Sequence, residues 1–379
     1  MRLFLLIFFL VYSGVNLYAF VKAKAALALG TAVALPLALF MLLMILAPII
    51  VHYSERLGLD LFARIMAYTG YIWGGLLFLF FSASVAIDFY GLLVYAAGFI
   101  FPGHLSSFVP SVRQAFYVPL LLSLSISVYG YFEANNIRTE RLTVRSRKVP
   151  ADYSPLKIVQ ISDVHLGLVV REERLKRILG KVAVENPDVL VSTGDLVDGQ
   201  VCNLNGLESL LSEIKPRFGK FAVTGNHEFY AGIDNSECFT ENAGFTFLKG
   251  QATSVAGITV AGIDDPAGRF YGVKNLSEAE LLSPLPKGKF VLFLKHRPLA
   301  DKNSVGLFDL QLSGHIHKGQ IFPFTLLTAL YYPITSGRLD LPNHSAMYVS
   351  RGSGTWGPPI RFLAPPEVTV IELVHESNV

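Results

Sequence analysis

The chain has 379 residues, 52% hydrophobic and only 16% charged, with a net charge of +3 and a mean hydropathy of +0.45. Soluble globular domains carry ~25% charged residues, so these figures argue against an average soluble domain, a disordered chain and a coiled coil. The deficit is local: residues 1–135 hold ten charged residues and residues 136–379 hold 51. The chain therefore reads as a membrane segment joined to an ordinary soluble domain. The soluble part, with 26 basic and 25 acidic residues, is nearly neutral, and no nucleic-acid partner is expected. Cys202 and Cys238 are too few for a zinc cluster or a disulfide framework. A single bridge between them has nothing in its favour.

Four stretches are long and apolar enough to span a bilayer core of about 20 helical residues: Leu3–Phe20, Ala25–Val51, Ile65–Ile87 and Ala115–Phe132. Arg2 followed by Leu3–Tyr12 also fits a signal peptide, with Ala23-Lys24-Ala25 as its cleavage site, but another span follows at once. Phe89–Phe101 is apolar but short. It is either a re-entrant or interfacial segment or an extension of the third helix past Asp88. With four spans both ends face one side, which carries Arg2, Arg56, Arg64, Arg138, Arg141, Arg145, Arg147 and Lys148 against Lys22, Lys24 and Arg113 on the other. The positive-inside rule then makes the C-terminal domain cytoplasmic. If Arg138–Lys148 is only a solvated face of the first soluble strand, the count is three against three. The expected layout is a transmembrane anchor over 1–135, a linker and first strand over 136–155, and a catalytic domain over 156–379.

From Leu156 short apolar runs alternate with helical patterns. Lys157–Ile161 reads as a strand. Arg171–Glu185 reads as a helix, with Leu175, Ile178, Leu179 and Val182 at helical spacing. Asp188–Ser192 is a second strand. Leu207, Leu210, Leu211 and Ile214 mark a second helix that Pro216 ends. Phe221–Val223 is a third strand, and this β-α-β-α-β order implies a parallel core with right-handed crossovers. Further strands are expected at Thr253–Ala261, Phe290–Leu294, Asp309–Leu312, Ala346–Val349 and Val368–Leu373.

What ends each strand is informative. The five runs lead into Ser162-Asp163-Val164-His165, Gly194-Asp195-Leu196-Val197-Asp198, Gly225-Asn226-His227-Glu228, Lys295-His296 and Gly314-His315-Ile316-His317. Ligands of open α/β sheets bind beyond the carboxyl ends of strands, and five of the nine histidines fall in these pieces. Singly, each motif is commonplace: a loop, a turn, a helix N-cap or a structural histidine. Together they form a set of carboxylates, imidazoles and one amide that suits manganese, iron or zinc. Mixed ligands from five segments exceed what one tetrahedral ion needs, so two divalent ions sharing one carboxylate are expected. Paired ions ~3.5–4 Å apart lower the pKa of a shared water and clamp the oxygens of an in-line displacement at phosphorus.

On these motifs residues 157–379 resemble the calcineurin-like metallophosphoesterases, in particular a membrane-anchored subgroup whose last motif reads Gly-His-x-His-x-Gly-Gln, here Gly314–Gln320. Tyr348–Thr355 and Pro365-Pro366-Glu367 match that subgroup's C-terminal signature. The resemblance implies an α/β fold: a two-sheet αββα sandwich after the transmembrane bundle, with a dinuclear site at one edge. Carried over by motif, it implies Asp163, His165 and His317 on the first metal, Asp195 as the bridge, and Asn226, His296 and His315 on the second. It implies that His227 protonates the leaving oxygen or stabilises the transition state. Asp198 either orients His227 or caps its loop. Two departures stand out. Gly199 replaces the arginine that clamps substrate phosphate in protein phosphatases, and Lys295 stands where close relatives have serine, expected to point to solvent or to touch substrate phosphate.

The implied activity is metal-dependent hydrolysis of a phosphomono- or diester, with membrane lipids as surroundings and the phosphoester as substrate. Ile321–Tyr332, directly after the last motif, is almost wholly apolar. It is read first as a core segment and otherwise as an exposed lip facing the bilayer, which would fit a lipid or lipid-linked phosphoester. The alternatives are a nuclease or nucleotide phosphodiesterase of the same fold, disfavoured by the near-neutral charge, and a non-catalytic membrane scaffold, disfavoured by the intact ligand set.

Overall fold

A computed structural model describes residues 2–100, 107–199, 204, 206–274 and 276–377. It divides into two compact units, residues 1–132 with 357–360, and residues 133–356 with 361–379.

The first unit is helical. Helices α1 (Arg2–Leu27), α2 (Thr31–Arg56), α3 (Asp60–Ile100) and α4 (Gln114–Asn135) are each long and apolar enough to cross a membrane. Only 11–22% of each hydropathic window is buried, so most of the apolar surface needs lipid as its solvent. Ala19, Ala23 and Ala26 of α1 meet Met41 of α2, Leu77 and Phe80 of α3 and Phe116 of α4. A Cβ on Gly70 would lie 2.8 Å from that of Ala47, the close backbone approach that small residues permit between spanning helices. Lys22 pairs with Asp88 at 2.6 Å, and Tyr18 donates to the same carboxylate. Helix α3 continues unbroken past Asp88 to Ile100, so the apolar segment from Phe89 extends the third helix; Phe101 lies outside the described residues. At 41 residues α3 is roughly 60 Å long, about twice the hydrocarbon thickness.

The second unit runs β1 (Arg138–Ser146), β2 (Leu156–Ile161), α5 (Glu172–Glu185), β3 (Val189–Ser192), α6 (Leu207–Ser212), β4 (Lys220–Ala222), α7 (Asn226–Ala231), α8 (Ile233–Asn242), β5 (Thr246–Phe247), β6 (Gln251–Val255), β7 (Ile258–Gly262), α9 (Glu278–Leu282), β8 (Val291–Leu294), β9 (Leu310–Ser313), α10 (Phe324–Tyr331), β10 (Gly337–Asp340), β11 (Ala346–Val349) and β12 (Glu367–His375). One sheet has the order β1-β12-β2-β3-β4-β5, the other β10-β11-β9-β8-β7-β6. The β2-β3-β4 core is parallel, as the alternating pattern requires.

Alternation along the strands makes the layers. Ile158, Val189 and Val191 of the first sheet pack with Ile258, Val260, Leu292 and Leu312 of the second. Val159, Ile161 and Leu190 face the other way, onto Leu175, Ile178 and Val182 of α5 and Leu207 and Leu211 of α6. Val291 and Phe293 face Leu281 and Leu282 of α9. The result is the expected αββα sandwich.

Thr253–Ala261 is not one strand. It is the β6–β7 hairpin, turned at Ala256 and Gly257, which have φ of 46° and 77°, the two positive values a tight hairpin turn demands. The basic residues Arg138, Arg141, Arg145, Arg147 and Lys148 are exposed, the first three on edge strand β1, where charge also blocks edge-to-edge pairing. Cys238 is an exposed free thiol, and Cys202 lies outside the described residues.

Candidate metal centre

The carboxyl ends of β2, β3 and β4 from one sheet and β8 and β9 from the other bring seven side chains to one edge. Donor atoms of Asp163, His165 and His317 lie within 4.8 Å of one another, as do those of Asp195, His296 and His315. A third grouping, His165, Asp195 and His227, joins the two by the same criterion, which puts Asp195 in the middle. Asn226 opens α7 beside them, and its Oδ1 is buried without a hydrogen-bond partner.

The local backbone is unusual. Asp163, His165, Asp195, His315 and His317 all have φ between 47° and 75°, the left-handed region that non-glycine residues avoid at a cost of ~1–2 kcal/mol each. Such conformations concentrate where structure over-determines them for function. Two flanking glycines are required by close approach. A Cβ on Gly225 would sit 2.2 Å from Asp195 Oδ1, and one on Gly314 would sit 2.1 Å from Asp163 Oδ2.

Hydrogen bonds fix the donors. His296 Nδ1–H donates to the Thr193 carbonyl at 2.8 Å, which turns Nε2 toward Asp195 Oδ2, 3.2 Å away. A backbone carbonyl on the far nitrogen is how proteins set the tautomer of a ligating histidine. Asp163 accepts from Ser162 Oγ at 2.5 Å and from the His315 N–H at 2.9 Å. The His227 N–H donates to Asp195 Oδ1 at 2.8 Å, and its Nδ1–H donates to Asp198 Oδ1 at 2.7 Å. Asp198 thus lies on the histidine as the orienting alternative required.

Burial, then the positive neighbours His227 and Arg361 respectively, holds His165 down to about 4 and His317 well below the usual imidazole range. His315 is held well below it by burial and then by His296. All three are neutral at pH 7, with lone pairs to offer. His296 differs: burial opposes its charge, but the Asp195 carboxylate outweighs that and pushes it up to about 10, so a cation here displaces a proton. Burial likewise opposes the His227 charge, and Asp195 and Asp198 raise it to about 9.

The site fits divalent cations on its own chemistry. Imidazole nitrogens face one another at 3.0 Å (His165 and His317) and 3.1 Å (His296 and His315). His165 Nδ1 and Asn226 Oδ1 are buried without hydrogen-bond partners. Each imidazole contact holds a proton between two nitrogens that a cation can replace, and unpartnered donor atoms beside two buried carboxylates suit positive charge. The arrangement constitutes two metal-binding triads suited to a dinuclear centre.

Other features were not read from the sequence. Glu228 is buried and accepts from four backbone N–H groups, those of Asp195, Leu196, Val197 and Gly225, tying together the two metal loops. Burial and then Asp195 push it up to about 7. Every partner is nonetheless a donor, so the pocket is built for the carboxylate. Arg361 is fully buried; it donates to the carbonyls of Arg351 and Gly354 and lies 3.1 Å from His317 Nδ1. The C-terminal signature acts behind the site, where Tyr348 donates to Glu367 and Arg351 pairs with it. Lys295 neither faces solvent nor reaches the cluster. It is largely covered and pairs with Glu278, which also accepts from Ser304.

Ile321–Tyr332 is not core throughout. Its central part is α10, which has no buried residue; Leu326, Leu327, Leu330 and Tyr331 are all more than half exposed, Leu330 at 85%. The helix starts beside the last ligand loop, where Thr325 Oγ1 donates to the Lys318 carbonyl. Tyr332, just after it, lies edge-on to His315 with ring centroids 5.9 Å apart.

Residues 156–319 match the calcineurin-like phosphoesterase family. The chain is 37% identical over 263 residues to an uncharacterized metallophosphoesterase of Aquifex aeolicus (strain VF5), covering 68% of this chain and all of that protein. It is 32% identical over 277 residues to a transmembrane protein with metallophosphoesterase domain of Danio rerio, covering 69% of this chain and 63% of that one. Among solved structures it is similar to a 5'-nucleotidase precursor from Thermus thermophilus, with 17% identity, a TM-score of 0.36, and coverage of 58% and 54% of the two chains. The two-sheet fold, the paired triads and the relatives define a metal-dependent phosphoric ester hydrolase carried by a multi-pass membrane segment. The chain belongs to the calcineurin-like phosphoesterase family.

Proposed function

We propose that this chain hydrolyses a phosphoester on a lipid or lipid-linked headgroup. The observation that carries this reading is α10, an exposed apolar helix that starts at the last ligand loop. An apolar surface of this kind marks a membrane contact when the domain is tethered to a bilayer. The chain provides the tether, since two residues separate α4 from β1.

In this reading Asp163, His165 and His317 hold one cation, Asn226, His296 and His315 hold the other, and Asp195 lies between them. Manganese, iron and zinc all suit these donors. When bound, the pair supplies Lewis acidity to the phosphoryl oxygens and to water. His227 keeps a proton on Nε2 for the leaving oxygen, because Nδ1–H is committed to Asp198. Glu228 sets the spacing of the two loops that carry Asp195 and Asn226. The cytoplasmic placement of the catalytic domain rests on Arg138, Arg141, Arg145, Arg147 and Lys148, which follow α4 closely but lie on or just after the solvated strand β1; without them the flanks balance at three against three.

The test uses the full chain, metal-loaded in detergent, on a panel of soluble phosphomonoesters, soluble diesters and detergent-dispersed phospholipids. Activity is expected to rise on the dispersed lipids. Leu326→Glu with Leu330→Glu is expected to abolish that gain and leave soluble-ester turnover within about twofold, since exposed positions tolerate charge. Hydrolysis confined to soluble esters, with no gain from dispersed phospholipid, would overturn the lipid reading.

A further inference from the structure

The side chain that would hold substrate phosphate in a protein phosphatase is missing at Gly199. Another guanidinium stands beside the second triad. Arg297 follows His296 directly at the end of β8, and Asp265 grips one edge of it, accepting from Nε at 2.7 Å and from Nη2 at 2.9 Å. Asp265 is 2% exposed. Its own N–H donates to Thr224 Oγ1, and its Oδ1 accepts from the Ala267 N–H. Thr224 precedes Gly225-Asn226-His227, so the Asp265 backbone is tied to the loop that carries Asn226 and His227.

The fork leaves Nη1 with two N–H groups and no hydrogen-bond partner among the described residues. The arginine side chain is 29% exposed, which is open enough for a ligand to reach. Two aromatic residues stand by the same cluster. Tyr230, one turn along α7, has its ring 5.3 Å from that of His227, and Tyr332 lies 5.9 Å from His315.

We propose that Arg297, pre-set by Asp265, is a substrate-binding residue whose Nη1 donates to a non-bridging oxygen of the phosphoryl group on the side of His296 and His315. Arginine suits this task because one edge can be locked by a carboxylate while the other stays free for an anion. Asp265 is then a positioning residue. The proposal rests on the hydrolase reading of the metal centre and assigns it a specific phosphate contact.

The experiment uses the full metal-loaded chain in detergent and inorganic phosphate as a competitive probe, beside a soluble phosphomonoester. Losing one charge-assisted hydrogen bond to phosphate corresponds to about 10- to 100-fold. Arg297→Gln is expected to lower kcat/KM and to weaken phosphate inhibition by that factor, with metal content and Tm retained. Arg297→Lys, which keeps the charge but not the fork, is expected to recover part of both. Asp265→Asn should move KM and phosphate inhibition in the same direction by a smaller factor. Unchanged phosphate inhibition in Arg297→Gln, or a loss explained by lower metal content, would overturn the proposal. Failure of the unaltered chain to hydrolyse any ester or bind phosphate would instead overturn the underlying hydrolase reading.

Discussion

Asp198→Asn separates charge from geometry at His227. The asparagine side-chain oxygen still accepts from Nδ1–H, so the ring keeps its place 2.7 Å from position 198, and only the negative charge is lost. An opposite charge at such a distance shifts a pKa by ~1–3 units. The Asp198 side chain is 30% exposed, which screens the pair and brings the expectation to ~1–2 units, or ~1.4–2.7 kcal/mol. The sign follows from the role: His227 acts while protonated, so the rate is flat below its folded pKa, about 9, and falls above it. In Asp198→Asn the alkaline limb of the kcat profile should move down by ~1–2 units. The loss should be no more than about twofold at pH 7 and about five- to fiftyfold at pH 9. The assay is the pH dependence of kcat for the metal-loaded protein on one soluble ester, with metal content measured at each pH. An alkaline limb that stays in place, or a loss equal at every pH, would refute the assignment of the proton to this histidine.

Three further perturbations read the same centre. Asp195→Asn removes charge from the residue between the triads and should lose both bound metal and turnover, measured by elemental analysis beside the rate; His227→Ala should keep the metal and lose ~10²–10⁴ in kcat. Unchanged hydrolysis in both variants would rule out this site. Glu228→Gln turns an NH₂ group toward backbone donors that the carboxylate now satisfies, and should destabilise the domain by about 2–4 kcal/mol, seen as a lower Tm in detergent and weaker metal retention; an unshifted Tm would show that the two loops hold their spacing without it.

Much of this architecture is legible in the residues. Helical spacing marks α5, short apolar runs mark β2, β3, β8 and β9, and each run ends in the side chains that meet at the sheet edge. What escapes depends on partners distant in the chain. The β6–β7 hairpin is hidden because Ala256-Gly257 lacks the asparagine or aspartate that usually announces such a turn. The two-residue strand β5 and the half-exposed β10 are too short to show a period. Glu228 stands in plain view within Gly-Asn-His-Glu, yet its work is to bridge two loops about thirty residues apart. Arg297 reads as an ordinary basic residue until Asp265 is seen to hold it. The apolar run from Ile321 misleads for a different reason, since composition records hydrophobicity but not which solvent the surface meets.

The left-handed backbone at Asp163, His165, Asp195, His315 and His317 links the fold to its chemistry. At ~1–2 kcal/mol each, five such residues together approach the ~5–15 kcal/mol by which a whole domain is stable. The chain opposes this with the four N–H bonds to Glu228, with Arg361 laced to the carbonyls of Arg351 and Gly354, and with glycines that let Asp195 and Asp163 approach neighbouring backbone closely. None of these supplies a partner for the buried His165 Nδ1 and Asn226 Oδ1, beside imidazoles packed at 3.0 and 3.1 Å. Strain at the ligands and support behind them are therefore two parts of one device, in which the sandwich keeps donors converged that would otherwise move apart. Cation binding then has little reorganisation to drive. The same rigidity explains why the site is built on strand ends, where a shift of one residue would turn every donor away from the cluster.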